Sequence, residues 1–188
     1  RYEGKNSAEV SVYWRSRQPQ GAIVLRGGSE DPQGFLQQIA LGQVTAADAA
    51  RDPVVGAVHR FVQQQVLLRE GNSATLFRFW MARDTYQAVS PVQSRIFINM
   101  LQHYLTAPGL VYTFILCAEP EFWAPMFAYG DLTHLQELDY VSEGRTFGIF
   151  GRNWRPSPPM EWLALMAERE LATQFTPPRP AETVFKLS

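Results

Sequence analysis

Two runs of β-favouring residues, 74–81 and 110–117, place the main constraint on how this chain can fold. The second run is apolar almost throughout, with Thr113 as its main polar interruption, which is typical of a central strand covered on both faces. Between the runs, residues 92–105 carry apolar side chains at helical spacing, after the cap-plus-proline helix start Ser90-Pro91. This order predicts an α/β or α+β fold with a mixed sheet.

The segments that follow extend the same alternation. Glu119-Pro120 opens an aromatic-rich helix over 120–129. Residues 135–141 and 145–150 flank a Ser-Glu-Gly turn, which predicts a hairpin. Pro158-Pro159 then starts a last helix.

The N-terminal part of the chain is predicted to be a hairpin followed by helices. Residues 10–13 and 22–25 are short β-favouring runs joined by turn chemistry at 18–21. Helices are predicted to begin at three cap signals: Asp31-Pro32, Thr45 and Asp52-Pro53.

Strict alternation along the strand 74–81 predicts how its side chains divide between the two faces of the sheet. Leu76, Arg78 and Trp80 are expected on one face. The other face is expected to carry the intervening side chains Phe77, Phe79 and Met81.

Composition limits the classes of partner. The 188 residues suit one domain, and 46% hydrophobic residues suffice for a full core. A charged fraction of 19% is low, so we expect another domain or a second copy of the chain, as in a homodimer, to cover part of the surface. The net charge is -1 and there is no run of Lys or Arg, which argues against a nucleic-acid-binding face.

The domain organisation predicted from these patterns is a single domain over 1–175. It divides into an N-terminal hairpin with helices (1–72), a core (73–154) and a C-terminal helix (155–175). Residues 176–188 are rich in proline and predict a linker to a further region of a longer protein.

The cysteine and histidine content bears on compartment and metal binding. The lone Cys117 lies in an apolar run and is expected to be a small buried hydrophobe. Three isolated histidines show no metal-ligand spacing. No signal peptide is visible and no apolar run approaches the roughly 20 residues that span a bilayer, so we expect no membrane segment and a reducing cytoplasm.

The order of elements over 73–154, a little under half the chain, resembles the GNAT acetyltransferase superfamily. The resemblance implies a mixed, mostly antiparallel sheet flanked by helices. Residues 74–81 and 110–117 are similar to the family's fourth and fifth strands. The helices 92–105 and 120–129 are similar to those that follow these strands, and 136–141 with 145–150 to the closing pair. In that family acyl-CoA lies where strands four and five splay apart, with its pyrophosphate at the helix start after strand four.

The resemblance implies acetyl-CoA or another acyl-CoA as ligand, with Ser90, Ser94 and Arg95 at its pyrophosphate, because a helix N-terminus favours an anion. The family's loop has a glutamine or arginine and two spaced glycines. Here residues 86–95 contain no glycine, and Pro91 supplies no N–H. The alternative is that Ser90 only caps the helix and Arg95 lies in solvent.

The resemblance also implies a tyrosine on the fourth helix that protonates the leaving thiolate. That place falls near Phe127, and Tyr129 is two residues away. Glu119, just past the apolar strand, and Glu121 are further candidates, with Glu119 as a general base, and His134 is a weaker acid–base candidate. The alternatives are that Glu119 only favours the helix N-terminus and that Tyr129 belongs to the core.

Three functions stay open on the sequence. The first is an acyl-CoA-dependent N-acyltransferase domain acting on a small-molecule or peptide amine. The second is a GNAT-like module without catalysis, which senses a ligand or binds other domains of a regulatory multidomain protein. The third is that the resemblance is only topological.

Overall fold

The computed structural model of the chain describes residues 4–28 and 30–172. Within these ranges a mixed sheet is flanked by helices on both faces. Its strands are β1 (Ala22–Arg26), β2 (Pro32–Ala40), β3 (Ser73–Ala82), β4 (Leu110–Ala118), β5 (Thr133–His134), β6 (Tyr140–Ser142) and β7 (Arg145–Asn153). The helices are α1 (Gly4–Arg17), α2 (Ala46–Arg51), α3 (Pro53–Phe61), α4 (Pro91–Thr106), α5 (Pro120–Tyr129) and α6 (Pro159–Ala172).

The strand order defines the class of fold. The strands run β1-β2-β3-β4-β7-β5, and β6 pairs with the first residues of β7. Within the described part of the chain only β3 and β4 are parallel, and α4 forms the crossover between them. The predicted mixed, mostly antiparallel sheet is therefore confirmed. From β3 to β7, apart from the short β5, the elements also follow the order predicted from the sequence.

The core has two layers, one on each face of the sheet. The first layer packs α1, α2 and α3 against the sheet, and Trp14, Val55 and Val58 are fully buried in it. The second layer packs α4, α5 and α6, with buried Ile96 and Trp123. β4 contributes to both layers, which confirms it as the central strand predicted from its apolar sequence.

Side-chain caps explain where several helices begin, as their sequences predicted. Thr45 and Asp48 form a reciprocal capping box at the start of α2. Asp52 caps α3 by accepting from the N–H groups of Val54 and Val55. A π-helical segment, Val62–Val66, continues α3.

The predicted strand over 10–13 is wrong, because these residues lie in α1. Val10 and Trp14, four residues apart, are both buried, whereas Val12 between them is 56% exposed. This is the helical period and not the alternation of a strand. The hairpin partner of β1 is instead β2.

The predicted helix at Asp31-Pro32 is also wrong, because residues 32–40 form β2. Leu36 is buried in the second layer and Ile39 in the first. A strand with both faces buried thus places apolar residues three apart, which resembles helical spacing.

A β-bulge at Arg78 changes the predicted faces of β3. In the register with β2, Gln38 faces Phe77 and Gln37 faces Phe79, so Arg78 is the extra residue. Phe79 consequently lies in the first layer with Leu76, and Trp80 in the second with Phe77. Strict alternation over 74–81 is therefore wrong beyond Arg78.

A buried ion pair accompanies the bulge. Arg78 Nε lies 2.9 Å from Asp52 Oδ2, and the Trp14 indole N–H donates to the same oxygen at 2.9 Å. The cap of α3, the bulge in β3 and helix α1 thus meet at one carboxylate.

The predicted closing hairpin is partly right. β6 and β7 pair around a turn at Glu143 and Gly144, as expected. The predicted strand over 135–141, however, is interrupted by a 3-10 turn, Gln136–Leu138. The predicted linker 176–188 lies outside the described residues, and the extent of the domain stays a prediction.

Candidate functional site

The parallel strands β3 and β4 separate before they end. Their pairing runs from Ser73 opposite Leu110 to Phe77 opposite Ile115. β3 nevertheless continues to Ala82 and β4 to Ala118. A gap therefore opens at the carboxyl ends of the two strands, the position at which sites form in open sheets.

The chain's own residues cross this gap. The Trp80 indole N–H donates to the carbonyl oxygen of Leu116 at 2.5 Å. Further along, the loop after β3 turns back, so that Tyr86 pairs with Ala82 through both backbone hydrogen bonds, at 2.7 and 3.0 Å. The first contact links β3 to β4 by a side chain, and the second places Tyr86 beside the last residue of β3.

The Gln87 side chain also bridges β3 and β4 across the gap. Its Oε1 accepts from the Ala118 N–H at 2.8 Å, and its Nε2 donates to the Trp80 carbonyl at 3.3 Å. The side chain is buried, with 5% of its surface exposed. We call Tyr86 and Gln87 the wedge, because they fill the gap between the separated strand ends.

A cleft of about 330 Å³ opens beside the wedge. Its walls combine backbone and side chains of the β3–α4 loop, the start of α5 and the first residue of β7. The lining comprises residues 85–88, Ala118, Glu119, Phe122, Trp123 and Arg145. Aromatic rings and two opposite charges therefore face one opening.

Glu119 is the predicted site residue that the structure places in this cleft. It lies at the N-cap of α5, is exposed, and its side chain makes no capping hydrogen bond. Its backbone is left-handed, with φ at 55°, which costs a non-glycine residue about 1–2 kcal/mol. The Glu119 N–H donates to the Thr146 carbonyl at 3.2 Å. Glu119 thus lines the cleft, and its carboxylate does not cap the helix.

Tyr129 is not brought to Glu119. It is the last residue of α5, and the roughly 1.5 Å rise per residue separates the two ends by about 15 Å. The Tyr129 hydroxyl donates to Glu170 on α6, and this hydrogen bond raises the pKa of the tyrosine. Phe127, near the position that the resemblance assigned to a tyrosine, is buried against Trp123 and Phe150.

The three residues predicted at a pyrophosphate are engaged within the protein. Ser90 Oγ accepts from the Gln93 N–H at 3.1 Å, which makes it the cap of α4. Ser94 Oγ donates to the Ser90 carbonyl at 3.3 Å, and Arg95 Nη1 donates to the Arg26 carbonyl at 3.1 Å. Ser94 and Arg95 are exposed, so their predicted role at a ligand stays a prediction.

His134 belongs to a dyad that sequence reasoning did not identify. Its Nε2 lies 3.0 Å from Asp139 Oδ1, and its ring stacks on Phe150 at 4.5 Å between centroids. Asp139 also accepts from the Ile149 N–H at 3.3 Å. The spacing of five between His134 and Asp139 carried no signal, since a 3-10 turn brings them together.

The remaining expectations concern Cys117, metals and membranes. Cys117 is buried in the second layer, and burial raises the pKa of its thiol, as expected of a structural residue. In residues 4–28 and 30–172 no group of three or more His, Cys, Asp or Glu could hold a metal ion. Among the helices in these ranges, none has the length and apolar character needed to cross a bilayer.

No family model and no curated protein matches the chain. Among solved structures, Arabidopsis thaliana NAA60 in complex with acetyl-CoA is similar at 11% identity and a TM-score of 0.40, over 70% of this chain and 73% of that one. FeeM, an N-acyl amino acid synthase from uncultured soil microbes, is similar at 13% identity and a TM-score of 0.43, over 86% and 95%.

A second structure of Arabidopsis NAA60, with a bisubstrate analogue, gives 12% identity and a TM-score of 0.38, over 74% of this chain and 71% of that one. All three TM-scores lie below 0.5, so the likeness is loose. The strand order and register given above define the fold on their own.

Proposed function

We propose that the chain binds an acyl-CoA between the separated ends of β3 and β4 and transfers the acyl group to an amine. The observation that carries this proposal is the end of the β3–β4 pairing at Phe77 and Ile115, with the cleft beyond it. The rings of Phe122 and Trp123 offer an apolar wall, and Arg145 offers a positive charge. The C–S bond of the acyl thioester would break as the C–N bond to the amine forms, and CoA would leave as its thiol after taking up a proton.

The start of α4 would hold the phosphates of such a ligand. Ser94 and Arg95 are exposed on its first turns, and the helix dipole favours an anion there. Because Arg95 Nη1 already donates to a carbonyl at the end of β1, ligand binding would draw on its other guanidinium N–H groups.

Glu119 is our candidate for the group that accepts the proton from the amine. It is exposed at the cleft and makes no cap bond, and its strained backbone fits a position fixed by function rather than by helix stability. A positioned general base contributes roughly 10²–10⁴-fold to a rate.

We therefore expect Glu119→Gln to lower kcat by about 10²-fold or more, with little change in acetyl-CoA affinity. Acetyl-CoA affinity is measured by calorimetry, and turnover by thiol release with a panel of small amines and peptide N-termini. Glu121→Gln, in the first turn of the same helix, is the matched control and should retain activity. Full activity of Glu119→Gln would contradict the role assigned to this carboxylate.

A second candidate function is ligand sensing without catalysis. Two observations favour it: Phe127 is buried near the place of a proton donor, and Tyr129 is tied to α6 through Glu170. Binding of acetyl-CoA without thiol release across the amine panel would select this function over transfer. Partners in other domains, a homodimer and a cytoplasmic location all stay predictions.

A further inference from the structure

Three backbone groups of β3 and β4 at the gap are hydrogen-bonded by side chains of the chain itself. On β4, the Leu116 carbonyl accepts from the Trp80 indole and the Ala118 N–H donates to Gln87 Oε1. On β3, the Trp80 carbonyl accepts from Gln87 Nε2. The Gln87 amide thus stands where a third strand would offer one acceptor and one donor.

We propose that the Gln87 side chain is a displaceable stand-in for a ligand amide, so that an amide-bearing acyl carrier enters the gap only when Gln87 leaves it. This inference rests on the proposed function, because it concerns the same cleft. It adds an autoinhibitory contact and names the chemical feature that the gap selects. A carrier with a secondary amide, such as the pantetheine arm of CoA, carries both the acceptor and the donor needed.

The contacts of the wedge make such an exchange feasible. Two of the bonds across the gap are made by the Gln87 side chain, so a rotation of that side chain releases these two without breaking a β-ladder, while the Trp80 indole stays on the Leu116 carbonyl. The loop residues around the wedge, 83–85 and 88–89, are exposed. Tyr86 has φ at 54°, a strained value for a bulky residue. The exposed residues on both sides of the wedge leave room for the Gln87 side chain to turn outwards while Tyr86 stays paired with Ala82.

The backbone groups that lose their partner when Gln87 leaves determine which ligand fits the gap. Once Gln87 leaves, the Ala118 N–H and the Trp80 carbonyl need new partners, since an unsatisfied buried polar group is costly. An amide satisfies both groups. An ester or an alkyl chain would leave the Trp80 carbonyl without a donor. The gap is accordingly matched to amide-containing arms rather than to apolar acyl chains alone.

The test compares the wild-type chain with Gln87→Met, which keeps the side-chain length and removes both hydrogen bonds. Three probes are used in calorimetry: acetyl-CoA, S-acetylpantetheine, and adenosine 3′,5′-bisphosphate, which lacks the amides. The loss of two competing hydrogen bonds should tighten binding of the first two about tenfold. The affinity for the nucleotide should not change. Gln102→Met, at an exposed position of α4, is the control and should match the wild type.

Each outcome decides the question. Equal affinity of wild type and Gln87→Met for acetyl-CoA would overturn the displacement and leave the proposed function standing. Tightening of the nucleotide as well would also overturn it, since the change would then not be specific to amides. Binding by neither protein would overturn both proposals. Thermal unfolding checks that the variant folds. Faster amide exchange at Ala118 checks that its hydrogen bond to the side chain at position 87 is lost. If Gln87→Met folds poorly, Gln87→Glu, which keeps the acceptor and loses the donor, serves in its place.

Discussion

At the scale of single residues, Asp48 shows how polar groups hold the N-terminal helix in place. Its carboxylate is buried and accepts from the Tyr13 hydroxyl, from the Thr45 hydroxyl and N–H, and from Arg17 Nε at 3.0 Å. Burial opposes ionisation, but the hydrogen bonds outweigh it and lower the pKa of Asp48 to about 2. One carboxylate thereby joins α1 to the cap of α2.

Asp48 should make stability depend on pH in the acid range. Its pKa is about 2 in the folded chain and about 3.9 when unfolded. Its contribution is therefore complete above about pH 4 and is lost as pH falls from about 4 to 2. We expect about 2.5 kcal/mol from this group. Urea unfolding across this range should show a flatter pH dependence for Asp48→Asn than for the wild type.

Asp84→Asn provides the control for this measurement, because Asp84 is 77% exposed and its ion pair is with the exposed neighbour Arg83. Its pH profile should follow that of the wild type. A profile of Asp48→Asn that ran parallel to the wild type would show that the pKa of Asp48 is not lowered by folding.

At the scale of elements, the close packing of the start of α5 against β7 depends on Gly148. A Cβ at this position would lie 2.5 Å from Pro120 Cβ and 2.9 Å from His134 Nε2. Both neighbours belong to regular elements, α5 and β5. The absence of a side chain thus lets α5 begin close to the sheet, and it sets the position of the adjacent Glu119.

Gly148→Ala should therefore destabilise the fold by about 1–3 kcal/mol, the usual cost of inserting a methyl group into a packed site. Denaturant unfolding measures the change. Gly28→Ala is the control, since a Cβ there has no neighbour within 4 Å, and its effect should stay within about 0.5 kcal/mol. An unchanged midpoint for Gly148→Ala would mean that α5 can shift without cost.

The helix caps could be predicted from the sequence, whereas the bulge and the wedge could not. Cap signals at Thr45, Asp52 and Ser90 were confirmed, because the capping hydrogen bonds are local. The bulge at Arg78 was missed, since its ion-pair partner lies 26 residues away. The wedge was missed for a similar reason: Gln87 and Ala118, whose N–H donates to the Gln87 side chain, are 31 residues apart.

At the scale of the whole molecule, the two layers share one sheet, and β4 lies at its centre. Phe114 faces the first layer and Ile115 the second, and both are buried. β1 lies at one edge of the sheet, and β5 and β6 lie at the other. Because every layer rests on β3, β4 and β7, we propose that the layers unfold together as one domain.

Hydrogen exchange should test this arrangement. Amides of β3, β4 and β7 are expected to exchange slowest, through global unfolding, whereas those of the edge strands β1 and β6 should exchange faster. Urea unfolding followed by far-UV circular dichroism should give a single transition. Separate loss of protection in α1–α3 would instead divide the chain into two cooperative units.

The tryptophans divide unequally between the two layers. Trp80, Trp123, Trp154 and Trp162 are buried in the second layer, and Trp14 is buried in the first. The intrinsic fluorescence of the folded chain therefore reports mainly on the side of the sheet that carries α4–α6. Trp14, with its indole N–H on the Asp52 carboxylate, is the chain's own optical probe of the opposite side. A spectrum of the wild type and one of Trp14→Phe would thus separate events in the two layers without any attached dye.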